Sequence, residues 1–163
     1  MWEWFKEQIY KVQSKDAEAK QVAIELSRVL LYEKFGVNTL YPDLKEKAEK
    51  LQQRMKELSK PIIIAECFRN AKKQNGYYDQ GRKSPGSTIT NARGLESYHQ
   101  YGLAFDVIFR DFGYNPPLAN WWDELGKEGE KLGLEWGGRF GDRPHFEWHP
   151  GFTWKELLPY FVE

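Results

Sequence analysis

Ser97-Tyr98-His99-Gln100-Tyr101-Gly102-Leu103-Ala104-Phe105-Asp106 is the stretch on which the reading of this chain turns. His99 and Asp106 are seven positions apart. On a straight strand their backbones would stand about 23 Å apart, at about 3.3 Å per residue. On one helix they would stand about 10 Å apart, at 1.5 Å per residue. Donor atoms sharing one Zn²⁺ sit about 2.0–2.2 Å from it, closer than either geometry brings them. The chain is therefore expected to turn between the two residues, and Gly102 permits the turn. Beyond it, Gly102 to Phe109 alternates as a strand. Leu103, Phe105, Val107 and Phe109 share an apolar face, and Asp106 stands on the other with Ala104 and Ile108. The small Ala104 leaves room there for a ligand.

The donor set is completed by Asp142-Arg143-Pro144-His145. His145 opens a second strand-like run to His149, in which Phe146 and Trp148 bury and His145, Glu147 and His149 share the opposite face. His149 lies about 13 Å further along the strand, too far to bind the same ion as His145. His99, Asp106 and His145 are thus the expected ligands of one zinc ion, which two imidazoles and one carboxylate leave with an open position. Asp142, in a turn before Pro144, folds back beside the ion as a general base. Its bland alternative is an Asx-turn residue. Glu147 is the rival carboxylate, or else orients a ligand histidine. His149 is a partly exposed strand residue or a relay partner, and Ser97 a hydrogen-bonding group for the ligand or substrate. Arg69, just past a core strand, has a planar fork suited to a carboxylate or an oxyanion. Cys67 reads as a small buried hydrophobe.

The pattern Ser-x-His-x-x-Gly-x-Ala-x-Asp, followed by Asp-x-Pro-His-Phe, resembles the zinc D,D-carboxypeptidase and L-alanyl-D-glutamate endopeptidase family of peptidoglycan hydrolases. Ala65-Glu66-Cys67-Phe68-Arg69 is similar to that family's strand ending in an arginine. Tyr78-Asp79-Gln80-Gly81-Arg82, Pro85-Gly86 and Thr90-Asn91-Ala92 resemble segments of its endopeptidases from bacilli and their phages. The resemblance spans roughly residues 60–150. It implies a hedgehog/D,D-peptidase-like fold, a role for Gln80 and Arg82 in substrate binding, and a stem-peptide substrate. It favours the endopeptidase over the carboxypeptidase.

The bulk composition agrees with that reading. Lysine plus arginine equals aspartate plus glutamate, 24 against 24, which argues against a broad nucleic-acid footprint. A single cysteine excludes an intrachain disulfide. No run of eighteen apolar residues exists to span a membrane. Met1–Glu7 lacks the basic and apolar regions of a secretory signal, so synthesis in the cytoplasm and release to the wall by a holin are expected. One domain is expected, residues 1–59 forming a helical N-terminal part and 60–163 the catalytic core, acting as a monomer.

Periodicity places helices over 2–12 (Trp2, Phe5, Ile9, Val12), 15–35 (Val22, Leu26, Val29, Leu30, ending at Gly36) and 42–59 (Leu44, Ala48, Leu51, Met55, Leu58). Pro61 to Cys67 reads as a buried strand, and 70–96 as a short helix around Lys72–Gln80 followed by a long loop forming one cleft wall. A helix starting at Asn115-Pro116-Pro117 runs to Gly133, and a last helical turn from Thr153 is closed by Pro159. The expected class is α+β, a small and mostly antiparallel sheet with packed helices and the zinc cleft on one face. Two rivals stay open: a cysteine peptidase built on Cys67, and a non-catalytic zinc module that binds the wall.

Overall fold

The computed structural model describes residues 15–18, 40–149 and 151–160. The helix expected over 2–12, and all but four residues of that expected over 15–35, lie outside them.

Four strands form one sheet: β1 (Ile62–Glu66), β2 (Ala104–Phe109), β3 (Glu135–Trp136) and β4 (His145–Glu147), in the order β1-β2-β4-β3. Every neighbouring pair is antiparallel. Central β2 carries the alternation read from its sequence. Phe105, Val107 and Phe109 are fully buried, and Asp106 and Ile108 are not. β1 is an edge strand and not the buried one expected, with Ile63 39% exposed. Its run of isoleucines serves one covered face only. β3, two residues long, is too short to show a period and was not expected.

Helix α1 (Pro42–Glu57) places proline at its first turn and buries Leu44, Ala48, Leu51 and Met55, a stripe at spacings of three and four. Leu58 falls outside that stripe, because the helix ends one residue earlier and Ser59 takes a positive φ. Helix α2 (Ala71–Asp79) is capped by Asn70, whose side chain accepts from the Lys73 amide. Helix α3 (Asn120–Lys131) begins later than expected, since Asn115 and Pro116 are irregular, the chain bends at Pro117 and Leu118, and Leu118 stays exposed. The short α4 (Trp154–Leu157) carries a capping box between Thr153 and Glu156, and the chain runs on into a 3-10 turn containing Pro159. Pro159 therefore sits inside helical structure and does not close it.

The core lies between the sheet and helices α1 and α3: Leu51 and Met55 from α1, Trp122 and Leu125 from α3, Phe105, Phe109 and Phe146 from the sheet. A smaller cluster of Tyr101, Leu103, Phe152 and Leu157 anchors the C-terminal turn. The opposite face of β2 and β4 is left to the site.

Two glycines let α3 approach the sheet. A Cβ on Gly126 would come within 2.3 Å of the Trp136 ring, and one on Gly129 within 2.3 Å of the Phe146 ring. Gly129→Ala gains helix propensity but overpacks a buried ring that has nowhere to go, so it is expected to destabilise by about 1–3 kcal/mol. Gly76 in α2 has nothing within 4 Å of such a Cβ, so Gly76→Ala should stabilise by roughly 0.5–1 kcal/mol. Denaturant melts of the two variants test the contrast; equal effects would contradict it.

Candidate metal centre

Strand register and one turn assemble the centre. Asp106 pairs directly with His145 across β2 and β4, so both side chains leave the sheet on the same face. A bulge between Ile64 and Glu66 puts Glu66 opposite Asp106 on the other side. His99 arrives on a 3-10 turn (Tyr98–Tyr101) that ends at Gly102 in the left-handed region, φ 66°. That turn is the one anticipated from the His99–Asp106 spacing. Ser97 caps it: its hydroxyl accepts from the His99 amide, while its own amide donates to Gln100 Oε1.

Three donor atoms converge. His99 Nε2 lies 3.2 Å from His145 Nδ1 and 3.3 Å from Asp106 Oδ1, and His145 Nδ1 lies 3.0 Å from the same oxygen. Tetrahedral zinc ligands at about 2.0–2.1 Å stand about 3.3–3.4 Å apart, so the triangle is the right size. The tautomers agree with it. His99 Nδ1 is 2.6 Å from the Cys67 carbonyl, which only accepts, so Nδ1 carries the hydrogen and Nε2 presents a lone pair. His145 Nε2 is 2.9 Å from Glu147 Oε2, so its hydrogen sits there and Nδ1 faces the triangle. Two lone pairs and a carboxylate oxygen thus point at one another in a buried place, with His99 and His145 at 1% and 8% exposure. Only a cation or protons relieve that arrangement.

Electrostatics show the same pull. Burial opposes ionisation of Asp106, but hydrogen bonds and charge from both imidazoles outweigh it and hold the carboxyl far below the ordinary range. Burial likewise lowers His145, yet Asp106 and Glu147 raise it to about 9. Glu147, against its own burial, is held at about 2 by His145 and His149. Without a metal, the centre is a proton trap that a divalent ion would discharge.

Asp142 lies on the wall of a cleft of about 780 Å³ that opens over these donors. Its backbone is fixed by a bond from its amide to the Gly137 carbonyl. Desolvation in the cleft, with Asp106 adding to it, raises its carboxyl above the usual value. Arg69 lines the same cleft. Its Nη1 donates to Glu66 Oε2 at 2.7 Å and its Nε to Gln74 Oε1 at 2.8 Å. Gln74, fully buried, also donates to the Ala92 carbonyl, tying the arginine to the long loop.

Gln80 and Arg82, expected to bind substrate, are not among the residues that line the cleft. Gln80 donates to the Ser87 carbonyl. Arg82 donates to the carbonyls of Tyr78 and Thr90 and to Asn91 Oδ1, with its guanidinium 4.1 Å over the Tyr78 ring. They brace the loop that presents Thr90, Asn91 and Ala92 to the cleft. Ser97 does line it, but its hydroxyl is engaged in capping.

His149 stacks on Tyr98 at 4.2 Å between ring centres and meets Glu147 through Nε2 and Glu135 through Nδ1. These three also form a group of potential donors. The carboxylates contact different nitrogens of the ring, which describes a hydrogen-bonded chain from His145 outward. Cys67 is buried and its thiol is pushed up to about 12 by desolvation, then by Asp106 and Glu66. It presents its carbonyl, not its sulfur, to His99. That is the reverse of an activated nucleophile.

Glu66, Gln74, Tyr114 and Phe140 escaped the sequence reading although all but Gln74 line the cleft. Glu66 depends on a bulge, Gln74 is an ordinary helix residue, and Tyr114 and Phe140 lie in turns without period.

Residues 90–148, which contain all three donors, match the family model described as D-alanyl-D-alanine carboxypeptidase. The chain is 39% identical over 124 residues to the peptidoglycan L-alanyl-D-glutamate endopeptidase CwlK of Bacillus subtilis, covering 68% of this chain and 74% of that one. Its fold is shared with the Serratia marcescens L-Ala D-Glu endopeptidase ChiX, at 21% identity and TM-score 0.53, over 69% and 83% of the two chains. It is shared too with the vancomycin-resistance D,D-pentapeptidase VanY in complex with Zn(II), at 16% identity and TM-score 0.52, over 73% and 83%. This chain is a member of the M15 peptidase family, which includes the peptidoglycan L-alanyl-D-glutamate endopeptidases.

Proposed function

We propose that the protein hydrolyses the L-alanyl-D-glutamate bond of the peptidoglycan stem peptide, using one zinc ion held by His99, Asp106 and His145. The observation that carries the chemistry is the triangle of converging lone pairs, 3.0–3.3 Å on a side. The choice of bond follows the similarity to CwlK.

When bound, the ion supplies Lewis acidity to the scissile carbonyl and the attacking water. Asp142 takes the proton from that water. As the C–N bond breaks, Asp142 delivers the proton to the departing D-glutamyl amine, so acid and amine are the products. A carboxyl raised above its ordinary value suits that shuttle, since it is a stronger base than a solvated aspartate. Arg69 holds a substrate carboxylate or the developing oxyanion, and its fork is oriented beforehand by Glu66 and Gln74. Glu147 fixes the His145 ring, and the Cys67 carbonyl fixes His99.

Digestion of purified peptidoglycan should release new D-glutamyl amino termini. Chelator should abolish the release, added zinc restore it, and a thiol-alkylating reagent leave it intact. Free D-alanine in place of D-glutamyl termini would move the assignment to a carboxypeptidase. Asp142→Asn should cut kcat by about 10²–10⁴-fold while zinc content stays at one ion per chain. Glu147→Gln should instead weaken zinc affinity by about 10–100-fold, with activity returning as zinc is raised. Loss of metal in the first variant, or unchanged affinity in the second, would reverse the assigned roles.

A further inference from the structure

Phe140 is 64% exposed, yet it lies inside the cleft, its ring centre 6.1 Å from that of His145. It ends a 3-10 turn (Gly137–Phe140) that is tightly held. Gly138 sits so close to the Trp136 ring that a Cβ there would come within 2.1 Å of it. The Trp136 indole donates to the Arg143 carbonyl, and Arg139 forks onto Glu130 at 2.8 and 2.9 Å. The backbone is therefore fixed while the ring is bare. A second bare ring, Tyr114 at 60% exposure, lines the same cleft. Scattered exposed aromatics are ordinary, but two aimed into one cleft beside a reaction centre are not.

This inference rests on the endopeptidase reading, and the chemistry of that substrate narrows the occupant. Around an L-alanyl-D-glutamate bond the side chains are a methyl and a carboxyethyl group, neither of which covers an aromatic ring. On the acyl side, alanine is joined through one lactyl unit to the muramic acid sugar. Two extended units reach about 7 Å. The sugar ring thus begins at about the distance that separates the Phe140 ring from the ring of His145, 6.1 Å, and its C–H faces are the nearest extended apolar surface the substrate has. We infer that Phe140 forms a saccharide subsite, stacking on the N-acetylmuramyl ring of a glycan-linked stem peptide, so that the enzyme prefers stem peptides still attached to sugar.

The test compares kcat/KM on N-acetylmuramyl-L-alanyl-D-glutamyl-L-lysine with that on N-acetyl-L-alanyl-D-glutamyl-L-lysine, two substrates of equal charge. The native chain should favour the muramyl substrate by about tenfold, the worth of one stacked ring. Phe140→Ala should bring the ratio to within about twofold of one, and Phe140→Trp should keep it. A native ratio near one, or a ratio that survives Phe140→Ala, overturns the subsite while leaving the endopeptidase standing. Cleavage of neither substrate at the alanyl–glutamyl bond overturns both.

Discussion

The structure depends on one pairing, Asp106 against His145 across two antiparallel strands. Directly opposed residues share a face, so this register commits a carboxylate and an imidazole to the same buried spot. A slip of β4 by one residue would turn His145 toward the core and bring Phe146 out beside Asp106. The hydrophobic alternation that builds the core is therefore also what aims these two candidate ligands. Phe105, Val107, Phe109 and Phe146 are fully buried on one side because Asp106 and His145 stand on the other.

The third donor needs a different device, since His99 comes from outside the sheet. Its turn is capped by Ser97 and Gln100 and ended by Gly102. The same Gln100 donates to the Arg69 carbonyl, and the Arg69 amide donates to the His99 carbonyl. The segment that presents the arginine and the one that presents the histidine are thus stitched together. Around them, the Cys67 carbonyl and the Glu147 carboxylate each take one imidazole hydrogen and so decide which nitrogen faces the Asp106 carboxylate. The chain continues through His149 to Glu135 at the surface. Precision at three atoms comes from a shell of fixed partners, which is how such a centre avoids reorganising when it binds charge.

Much of this was legible in the sequence. The turn at Gly102, the strand through Asp106 and the strand opening at His145 follow from spacing and period two, and the stripe on α1 from period 3.6. What escaped has a physical reason in each case. β3 is two residues long and has no period to read. Glu66 faces the cleft only because a bulge inserts one residue into β1. Edge or centre is a property of the sheet, so the Ile62-Ile63-Ile64 run could not disclose that β1 is an edge. Gln80 and Arg82 sit in a segment that resembles the family's, but their hydrogen bonds go to their own loop. A motif reports that a residue matters, not whether it touches substrate or holds up the residue that does.

Two imidazoles and one carboxylate, and no thiolate, are proposed to hold a single zinc ion. Zinc K-edge X-ray absorption on the zinc-loaded chain measures this directly. One ion per chain, a first shell of nitrogen and oxygen at about 2.0–2.2 Å, and the outer scattering of two imidazole rings are expected. A sulfur scatterer at about 2.3 Å, or a shell with fewer than two imidazoles, would contradict it.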